Sequence, residues 1–517
     1  MGRYLSIIIL LSLILMPYVG GIGTHTGSIT SDVDFIVSNV VDFERGPTVN
    51  LVTNNSATIF WRTDTLTDAT INYGVNTSIL ESASNSTLDT DHLITLNGLE
   101  MDTKYYYKVS SGGDESETYY FYTAPADGEE FRLVIAGDNR PDSTVHPVQP
   151  EVFSEIADLI IAENPHMVIL LGDFVYQITS SDAANLAAWK LFTDITDRMG
   201  HYAPVIGVIG NHDTGVSSGV YLTKYFLDAF INTGEHTTYF SFDYAGIHFT
   251  ALDTEEEDLE GRITGTQLDW FTQDLNENEG KMKFVLAHRP LYSTTHIGSS
   301  LDVNPEEQAA LIALLEEKNV TLFAAGHDHS YSRLTVNGVV HLISGGLGAP
   351  SYSSSWGDDI FHYVMTTVSE NSVNFTVINS DGYLHDQYIL PYDGPIEIVD
   401  RIIANTSSKP IGTVPVILFS EVPTTKYYSW DGVANTTEIT GLPGPEGAHT
   451  LDVYAENEDG VWSSARFVFT TIVPDTGGST TQTPPPDGGL DIMLVVGITG
   501  IVAVIVVVGI IFKTKKR

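Results

Sequence analysis

The 517-residue chain contains no cysteine and only 24 lysines and arginines, against 66 aspartates and glutamates. The absence of cysteine excludes disulfide scaffolds, thiolate metal sites and cysteine nucleophiles, so a metal must be held by histidine, carboxylate, asparagine or tyrosine. The formal net charge of −42 repels phosphate polymers and disfavours a nucleic-acid partner. Hydrophobic residues still make up 42% of the chain, which is enough for several buried cores.

Two apolar segments lie near the ends of the chain. Residues 1–22 have a basic start, a short apolar run and a glycine-rich end, which is typical of a secretory signal peptide; an N-terminal membrane anchor is the alternative. Residues 490–512 include 21 uncharged residues, Ile492–Phe512, and predict a transmembrane helix. The basic residues 513–517 predict a cytoplasmic tail and an extracellular remainder, and therefore a single-pass protein of the cell membrane.

The stretch between these segments divides into three structured parts and a stalk. Short alternating strands predict one β-sandwich over residues 40–125 and an immunoglobulin-like sandwich over residues 392–474. Residues 475–489, rich in Gly, Thr and Pro, predict a stalk without a core. Asn-x-Ser/Thr sequons are compatible with glycosylation of an outer surface, or with chance, at Asn54, Asn76, Asn85, Asn319, Asn374, Asn405 and Asn435.

Residues 130–391 have a different sequence pattern, in which β-branched apolar runs alternate with amphipathic segments. Strands are predicted at Phe131–Ala136, Met167–Leu171, Val205–Ile209, His248–Leu252, Phe284–Ala287, Thr321–Ala325 and Val339–Ile343. Helical periodicity predicts helices over Glu151–Glu163 and Gln308–Lys318. Alternating strands and helices indicate an α/β layered core.

Five short motifs follow predicted strands of this middle part. Each motif places a metal-competent side chain just beyond a buried strand, where loops on a rigid scaffold collect functional groups. A single Gly-Asp is often only a turn, but five such motifs at the same topological position favour a metal site. In chain order they are Gly137-Asp138-Asn139-Arg140, Gly172-Asp173-Phe174-Val175-Tyr176, Gly210-Asn211-His212-Asp213, Ala287-His288-Arg289-Pro290 and Gly326-His327-Asp328-His329.

These motifs resemble the calcineurin-like metallophosphoesterase superfamily over residues 130–391. The spacing of Asp173 and Tyr176, with a β-sandwich ahead of it, is similar to the purple acid phosphatase branch of that superfamily. Residues 40–125 also resemble a fibronectin-III-like module, with a partial match over 99–107. The resemblance implies an α/β metallophosphoesterase sandwich of two β-sheets flanked by helices, between N- and C-terminal all-β sandwiches.

The resemblance also implies a pair of metal ions. The first ion would take Asp138, Asp173, Tyr176 and His329, and the second would share Asp173 and add Asn211, His288 and His327. Phenolate and carboxylate oxygens favour Fe(III) at the first position, and two imidazoles with an amide oxygen suit divalent Zn, Fe or Mn at the second.

The first motif departs from the superfamily at Arg140, which stands where a histidine ligand is usual. Arg140 is expected to clamp the phosphate of the substrate through its bidentate fork, with a surface ion pair to Asp142 as the alternative.

For the reaction, the resemblance implies hydrolysis of a phosphate monoester by attack of a metal-bound hydroxide. His212 is the expected proton donor to the leaving oxygen, and Asp213 is expected to orient its second ring nitrogen. His296 is a second-rank candidate on the substrate side, and His146 is weaker. A phosphodiesterase or nucleotidase, and a non-catalytic surface binding or adhesion protein, are the alternatives. The expected partner is a small organic phosphate ester, and no protein partner is indicated.

Overall fold

The computed structural model describes residues 41–472 apart from residues 79–80, 142–149, 177, 216–221, 232–236, 353, 355–356, 392–396, 401–408, 411, 413, 416, 434 and 459. The predicted signal peptide, stalk, transmembrane helix and basic tail lie outside these residues, as do His146 and Asp142. Among the residues that are described, no helix has the length and apolar character needed to cross a bilayer.

The N-terminal part is a six-stranded antiparallel sheet with a long second strand. The second strand contains two segments that the sequence predicts as separate strands. Irregular pairing between Arg62 and Ala69 lets this one strand pair first with Phe43–Asn50 and then with Lys104–Ser111. Its inward side chains, Ile59, Trp61 and Ile71, are fully buried. The strands are β1 (Phe43–Asn50), β2 (Ser56–Gly74), β3 (Glu81–Asn97), β4 (Lys104–Ser111), β5 (Asp114–Glu115) and β6 (Tyr119–Tyr122).

The middle part contains two six-stranded sheets, with strand orders β18-β17-β16-β7-β8-β9 and β10-β11-β12-β13-β15-β14. The strands β7 to β9 are parallel, and so are β11, β12, β13 and β15, whereas the remaining pairs are antiparallel. The strands are β7 (Phe131–Ala136), β8 (Met167–Leu170), β9 (Val205–Gly207), β10 (Phe240–Tyr244), β11 (Ile247–Ala251), β12 (Lys283–Leu286), β13 (Leu322–Ala325), β14 (Tyr331–Val336), β15 (Val339–Ser344), β16 (His362–Ser369), β17 (Ser372–Asn379) and β18 (Leu384–Leu390).

Alternating apolar side chains bury both faces of each sheet. Leu133 and Ile169 of the first sheet share one core with Phe249 and Leu286 of the second, so the sheets pack face to face. The outer face of the first sheet is covered by α1 (Pro150–Ala162), α2 (Asp182–Gly200) and α4 (Lys224–Ala229), and that of the second by α5 (Gly265–Glu277) and α6 (Pro305–Glu317). A single-turn helix, α3 (Asn211–Thr214), follows β9. This order of layers confirms the predicted α/β sandwich.

The C-terminal part is also made of strands. β19 (Ile398–Asp400) and β21 (Ile417–Phe419) form a two-stranded sheet, and the other four strands form a second sheet in the order β20-β24-β23-β22. A small core that includes Tyr428, Leu451 and Phe469 lies beneath them. The strands agree with all-β content, and their immunoglobulin-like identity stays a prediction. The second sheet comprises β20 (Lys409–Pro410), β22 (Thr425–Trp430), β23 (Gly447–Glu456) and β24 (Trp462–Ile472).

A buried histidine in the second sheet makes the stability of the fold depend on pH. The ring nitrogens of His248 lie 2.8 Å from Asp243 Oδ1 and 2.9 Å from Asp274 Oδ2. Burial alone would lower the pKa of His248, but the hydrogen bonds to both carboxylates outweigh it and raise that pKa above its ordinary value.

His248→Gln is therefore expected to lose a contribution that is complete below about pH 6.5 and disappears as the pH rises through the elevated pKa. Urea unfolding of both proteins at a series of pH values measures this difference. The wild-type advantage should be larger at acidic than at alkaline pH, and a difference in unfolding free energy that does not change with pH would contradict the assignment.

Candidate metal centre

All five motifs lie at the carboxyl ends of central parallel strands. The first three follow β7, β8 and β9 in one sheet, and the last two follow β12 and β13 in the other. Because the two sheets pack face to face, these ends bring the side chains of both halves to one edge of the sandwich.

The first group of side chains consists of Asp138, Asp173 and His329. One potential ligand atom from each lies within 4.8 Å of the others, and all three side chains are buried. His329 Nε2 lies 3.5 Å from Asp138 Oδ1. Two carboxylates and one imidazole at these separations can bind a single cation.

The second group surrounds Asn211. Its Oδ1 lies 3.0 Å from His288 Nε2 and 3.0 Å from His327 Nδ1, and these two ring nitrogens are 3.2 Å apart. His288 Nε2 also lies 3.2 Å from Asp173 Oδ1, so Asp173 belongs to both groups. The structure thus brings together six of the seven predicted metal ligands.

The chemistry of this cluster fits a cation. Asp138 Oδ1 and His327 Nε2 are buried and make no hydrogen bond to any described residue. Burial raises the pKa of Asp138 well above its ordinary value. Burial would lower the pKa of His288, but the nearby carboxylate of Asp173 raises it to about 10. Buried ligand atoms without a hydrogen-bond partner, beside carboxylate and imidazole groups whose pKa values are displaced, form an environment that a bound metal ion would satisfy.

The backbone at three of these residues is strained. Asp138, Asp173 and His327 have φ angles of 63°, 57° and 66°, in the left-handed region that L-residues rarely adopt. Such conformations cost on the order of 1–3 kcal/mol each and cluster at functional sites. These backbone conformations direct each side chain into the cluster, and they lower the stability of the fold.

A glycine allows the last motif to pack against the first. A Cβ atom on Gly326 would lie 2.3 Å from Asp138 Oδ2, the same atom that accepts a hydrogen bond from the His327 amide. Gly326→Ala is therefore expected to displace Asp138, to lower the free energy of unfolding by about 1–3 kcal/mol and to weaken metal binding by about 10- to 100-fold.

Thermal unfolding and titration with Zn²⁺ measure these two effects. Gly338→Ala is the control, because a Cβ there meets no atom within 4 Å, although its φ of +86° makes the substitution unfavourable for the backbone. The control should lose stability and keep its metal affinity. An unchanged Zn²⁺ affinity in Gly326→Ala would contradict the expected displacement.

Arg140 lies inside the site and not on the surface. Its side chain is 11% exposed, and its Nε donates to Asp173 Oδ2 at 3.2 Å, so the alternative of a surface arginine is wrong. Its other nitrogens donate to the Pro141 carbonyl and to Tyr352 Oη. Its role toward a phosphate stays a prediction.

The predicted pairing of Asp213 with His212 is wrong. His212 Nδ1 contacts the carbonyl oxygen of Tyr176. The Asp213 carboxylate instead accepts the backbone N–H groups of Asp173, Phe174 and Gly210. These three hydrogen bonds tie Asp213 to the backbone around Asp173, so Asp213 braces the loop that carries Asp173.

His212 and Tyr176 lie next to each other at the mouth of the site. His212 Nε2 is 3.9 Å from Asp173 Oδ2, and its side chain is 21% exposed. The rings of Tyr176 and His212 are 5.9 Å apart. Tyr176 is only half-buried, and its assignment as a seventh ligand stays a prediction.

The structure places His296 beside the cluster, together with residues that sequence reasoning missed, and its role toward a substrate stays a prediction. The His296 ring centroid lies 4.4 Å from that of His327 and 5.5 Å from that of Tyr352. Asp328 contacts His296, and Glu255 forms a buried ion pair with Arg289. Asp328 lies within a motif and could have been singled out, whereas the sequence contains no signal for Tyr352.

The part of the chain that carries this cluster matches a known family. Residues 131–331 fit the family model described as Calcineurin-like phosphoesterase, a span that begins with β7 and contains all five motifs. Residues 131–331 are a calcineurin-like phosphoesterase domain. The predicted resemblance to this superfamily is thereby confirmed.

Relatives of this phosphoesterase domain support the purple acid phosphatase-like branch. The chain is 25% identical to purple acid phosphatase 21 of Arabidopsis thaliana over 255 residues, which are 47% of this chain and 53% of the relative. It is 26% identical over 182 residues to a protein named probable inactive purple acid phosphatase 9 of Arabidopsis thaliana, covering 29% of this chain and 28% of that relative. The chain spans about half the length of the first of these relatives.

Among solved structures, the one titled Structure of PhoD shares the fold. Its TM-score is 0.50 at 12% identity, with 84% of this chain and 93% of that chain covered. At this level of identity the likeness concerns the fold alone. The fibronectin-III-like identity of residues 40–125 stays a prediction.

Proposed function

We propose that the chain is a phosphoesterase that hydrolyses phosphate monoesters at a dinuclear metal centre. The observation that carries the proposal is the convergence of six donor side chains on one cluster, in which Asp138 Oδ1 and His327 Nε2 have no hydrogen-bond partner among the described residues. A phosphoesterase needs concentrated positive charge where the phosphoryl oxygens bind, and the acidic chain offers few lysines or arginines for this purpose.

Two neighbouring groups would hold the ions. Asp138, Asp173 and His329 would bind the first ion, with Tyr176 as its predicted fourth ligand and Fe(III) as the ion expected from that ligand. Asp173 would be shared with the second ion, a divalent Zn, Fe or Mn held also by the amide and imidazole ligands Asn211, His288 and His327. When bound, such a pair neutralises charge on phosphoryl oxygens and activates the attacking water.

His212 is placed to move a proton on the open side of the cluster. Its Nδ1 donates to the Tyr176 carbonyl, which turns Nε2 toward Asp173 Oδ2 at 3.9 Å. A proton carried on Nε2 can therefore reach the leaving oxygen of an ester bound beside Asp173.

Arg140 is placed to orient the phosphoryl group. Its contacts with Asp173, Pro141 and Tyr352 use one N–H on each nitrogen. Of the five N–H groups of a guanidinium, two terminal ones then make no contact with the described residues. One such N–H on each terminal nitrogen would let the guanidinium donate to two phosphoryl oxygens.

The proposal extends to location. The predicted signal peptide and the predicted helix over residues 490–512 would place the phosphoesterase domain on the outer surface of a cell membrane, with a short basic cytoplasmic tail. Protease added to intact cells that express the full chain should degrade the domain and spare an epitope after residue 513. Protection of the domain would contradict this orientation.

The test of the activity uses the purified full chain in detergent with a chromogenic phosphomonoester. Metal-dependent turnover that stops with chelator and returns with added metal ions is expected. A matched diester, such as a bis-aryl phosphate, separates monoesterase from diesterase or nucleotidase activity. The absence of turnover with both esters, in protein shown to contain metal, would favour the non-catalytic binding alternative.

A further inference from the structure

Asp328 occupies a distinctive place between the two metal-binding histidines of the last motif. Its side chain is fully buried, and it points away from the cluster of His327 and His329 toward residues 293–296. The hydroxyl and amide groups of Ser293, Thr294 and Thr295 donate to its carboxylate. One carboxylate thus organises a whole turn of the loop after β12.

The last donor to Asp328 is the ring of His296. His296 Nδ1 lies 3.0 Å from Asp328 Oδ1, and the His296 amide donates to Ser293 Oγ at 2.8 Å. Because a carboxylate only accepts hydrogen bonds, Nδ1 must carry the proton of this contact. The other ring nitrogen, Nε2, is therefore directed away from Asp328.

The His296 ring lies against one of the histidines of the candidate metal centre. The ring packs over His327 with centroids 4.4 Å apart, and Tyr352 flanks it at 5.5 Å. The His296 side chain is 32% exposed, whereas His327 beneath it is 7% exposed. His296 is thus an accessible side chain directly above a buried ligand.

Both oxygens of the Asp328 carboxylate accept hydrogen bonds, Oδ1 from Ser293 and His296, and Oδ2 from Ser293, Thr294 and Thr295. A buried carboxylate with this many donors holds them in one geometry, because the loss of any donor leaves part of its charge unsatisfied.

We propose that Asp328 is a positioning residue that holds His296 over the metal-binding histidines, with Nε2 directed at the phosphoryl group of the substrate. The proposal rests on the proposed phosphoesterase function. Asp328 links the loop that supplies two metal ligands to the loop that supplies a substrate contact, so it fixes the distance between metal and substrate-binding group. A displacement of about 1 Å at such a contact can cost about 10²-fold in rate.

The test compares Asp328→Asn, His296→Gln and the double variant in the full chain. Asparagine keeps the shape of the side chain, but its amide group repels the donors that converge on this position. Each single variant is expected to lose about 10²-fold in kcat/KM and to bind inorganic phosphate more weakly, with metal content unchanged. The double variant should be no worse than His296→Gln, because both substitutions remove the same contact.

Asp431→Asn is the matched control. It alters another aspartate that pairs with a histidine, His449, in the C-terminal part of the chain, so kcat/KM should change by less than about threefold. Near-wild-type kcat/KM in Asp328→Asn, or losses that add fully in the double variant, would overturn the proposal.

Two further measurements test the proposal if the wild-type protein is inactive or if Asp328→Asn does not fold. If wild-type protein turns over no ester, the proposed function fails, and inorganic phosphate binding by the same variants still decides the positioning role. If Asp328→Asn does not fold, the ¹⁵N NMR spectrum of the zinc-loaded wild-type protein decides it, with the His296 signals assigned through His296→Gln. A hydrogen-bonded proton on His296 Nδ1 is expected, and an unprotonated Nδ1 would refute the proposal.

Discussion

Asp173→Asn is expected to abolish metal-dependent ester hydrolysis, with a loss on the order of 10³-fold or more in kcat. Asp173 Oδ1 lies 3.2 Å from His288 Nε2, and Asp173 Oδ2 lies 3.2 Å from Arg140 Nε. The carboxylate therefore connects both groups of ligands with the arginine expected to orient the phosphoryl group. An amide keeps one oxygen but loses the negative charge that two cations would share.

The decisive measurement is metal content together with kcat, both determined on the purified full chain. Asp173→Asn should bind less than the wild-type complement of metal, and added Zn²⁺ or Mn²⁺ should not restore the rate. Asp182→Asn is the matched control, because its exposed side chain pairs with Lys224 and Tyr225 of α4. Wild-type kcat in Asp173→Asn would refute the dinuclear assignment.

His212→Ala is expected to lower the rate by about 10²–10⁴-fold for esters with poor leaving groups. Alkyl phosphates require a proton on the departing oxygen, and His212 is the half-buried imidazole beside Asp173 that can deliver it. Esters of acidic phenols leave without protonation, so their loss should be much smaller. This dependence on the leaving group distinguishes a lost proton donor from a damaged metal site.

The measurement is kcat for a series of monoesters whose leaving alcohols differ in pKa. His385→Ala serves as the control, because His385 lies on the edge strand β18 and pairs there with the side chain of Asp358. An equal loss for all leaving groups would show that His212 acts on binding or on the metals. No loss with alkyl phosphates would remove His212 from the reaction.

Much of the central architecture could be predicted because the parallel strands are short, buried and apolar. β7 has the predicted bounds, β8 and β13 differ by one residue at one end, and β12 is shifted by one residue at both ends. Helix α2 was missed because its mixture of alanines, charges and few large apolar residues shows a weak stripe. The pairing of β16 with β7 joins residues more than 200 positions apart, which no local pattern reveals.

The two aspartates that directly follow histidines of the site show where sequence reasoning fails. Asp213 follows His212 and Asp328 follows His327, and sequence position alone suggests similar roles. Their carboxylates have different hydrogen-bond donors. Asp213 accepts hydrogen bonds from backbone amides of the Asp173 loop, and Asp328 accepts one from the ring of His296. Side-chain direction depends on which loop packs behind each residue, and the sequence does not contain that arrangement in readable form.

The two sheets supply different kinds of ligand atom to the site. The first sheet supplies oxygen atoms, from Asp138, Asp173 and Asn211, and the second supplies nitrogen atoms, from His288, His327 and His329. Hard ions prefer the former donors, and borderline ions accept the latter. Replacing an oxygen ligand of the first sheet should thus shift the preference of the site away from hard ions. Replacing a nitrogen ligand of the second sheet should shift that preference away from borderline ions.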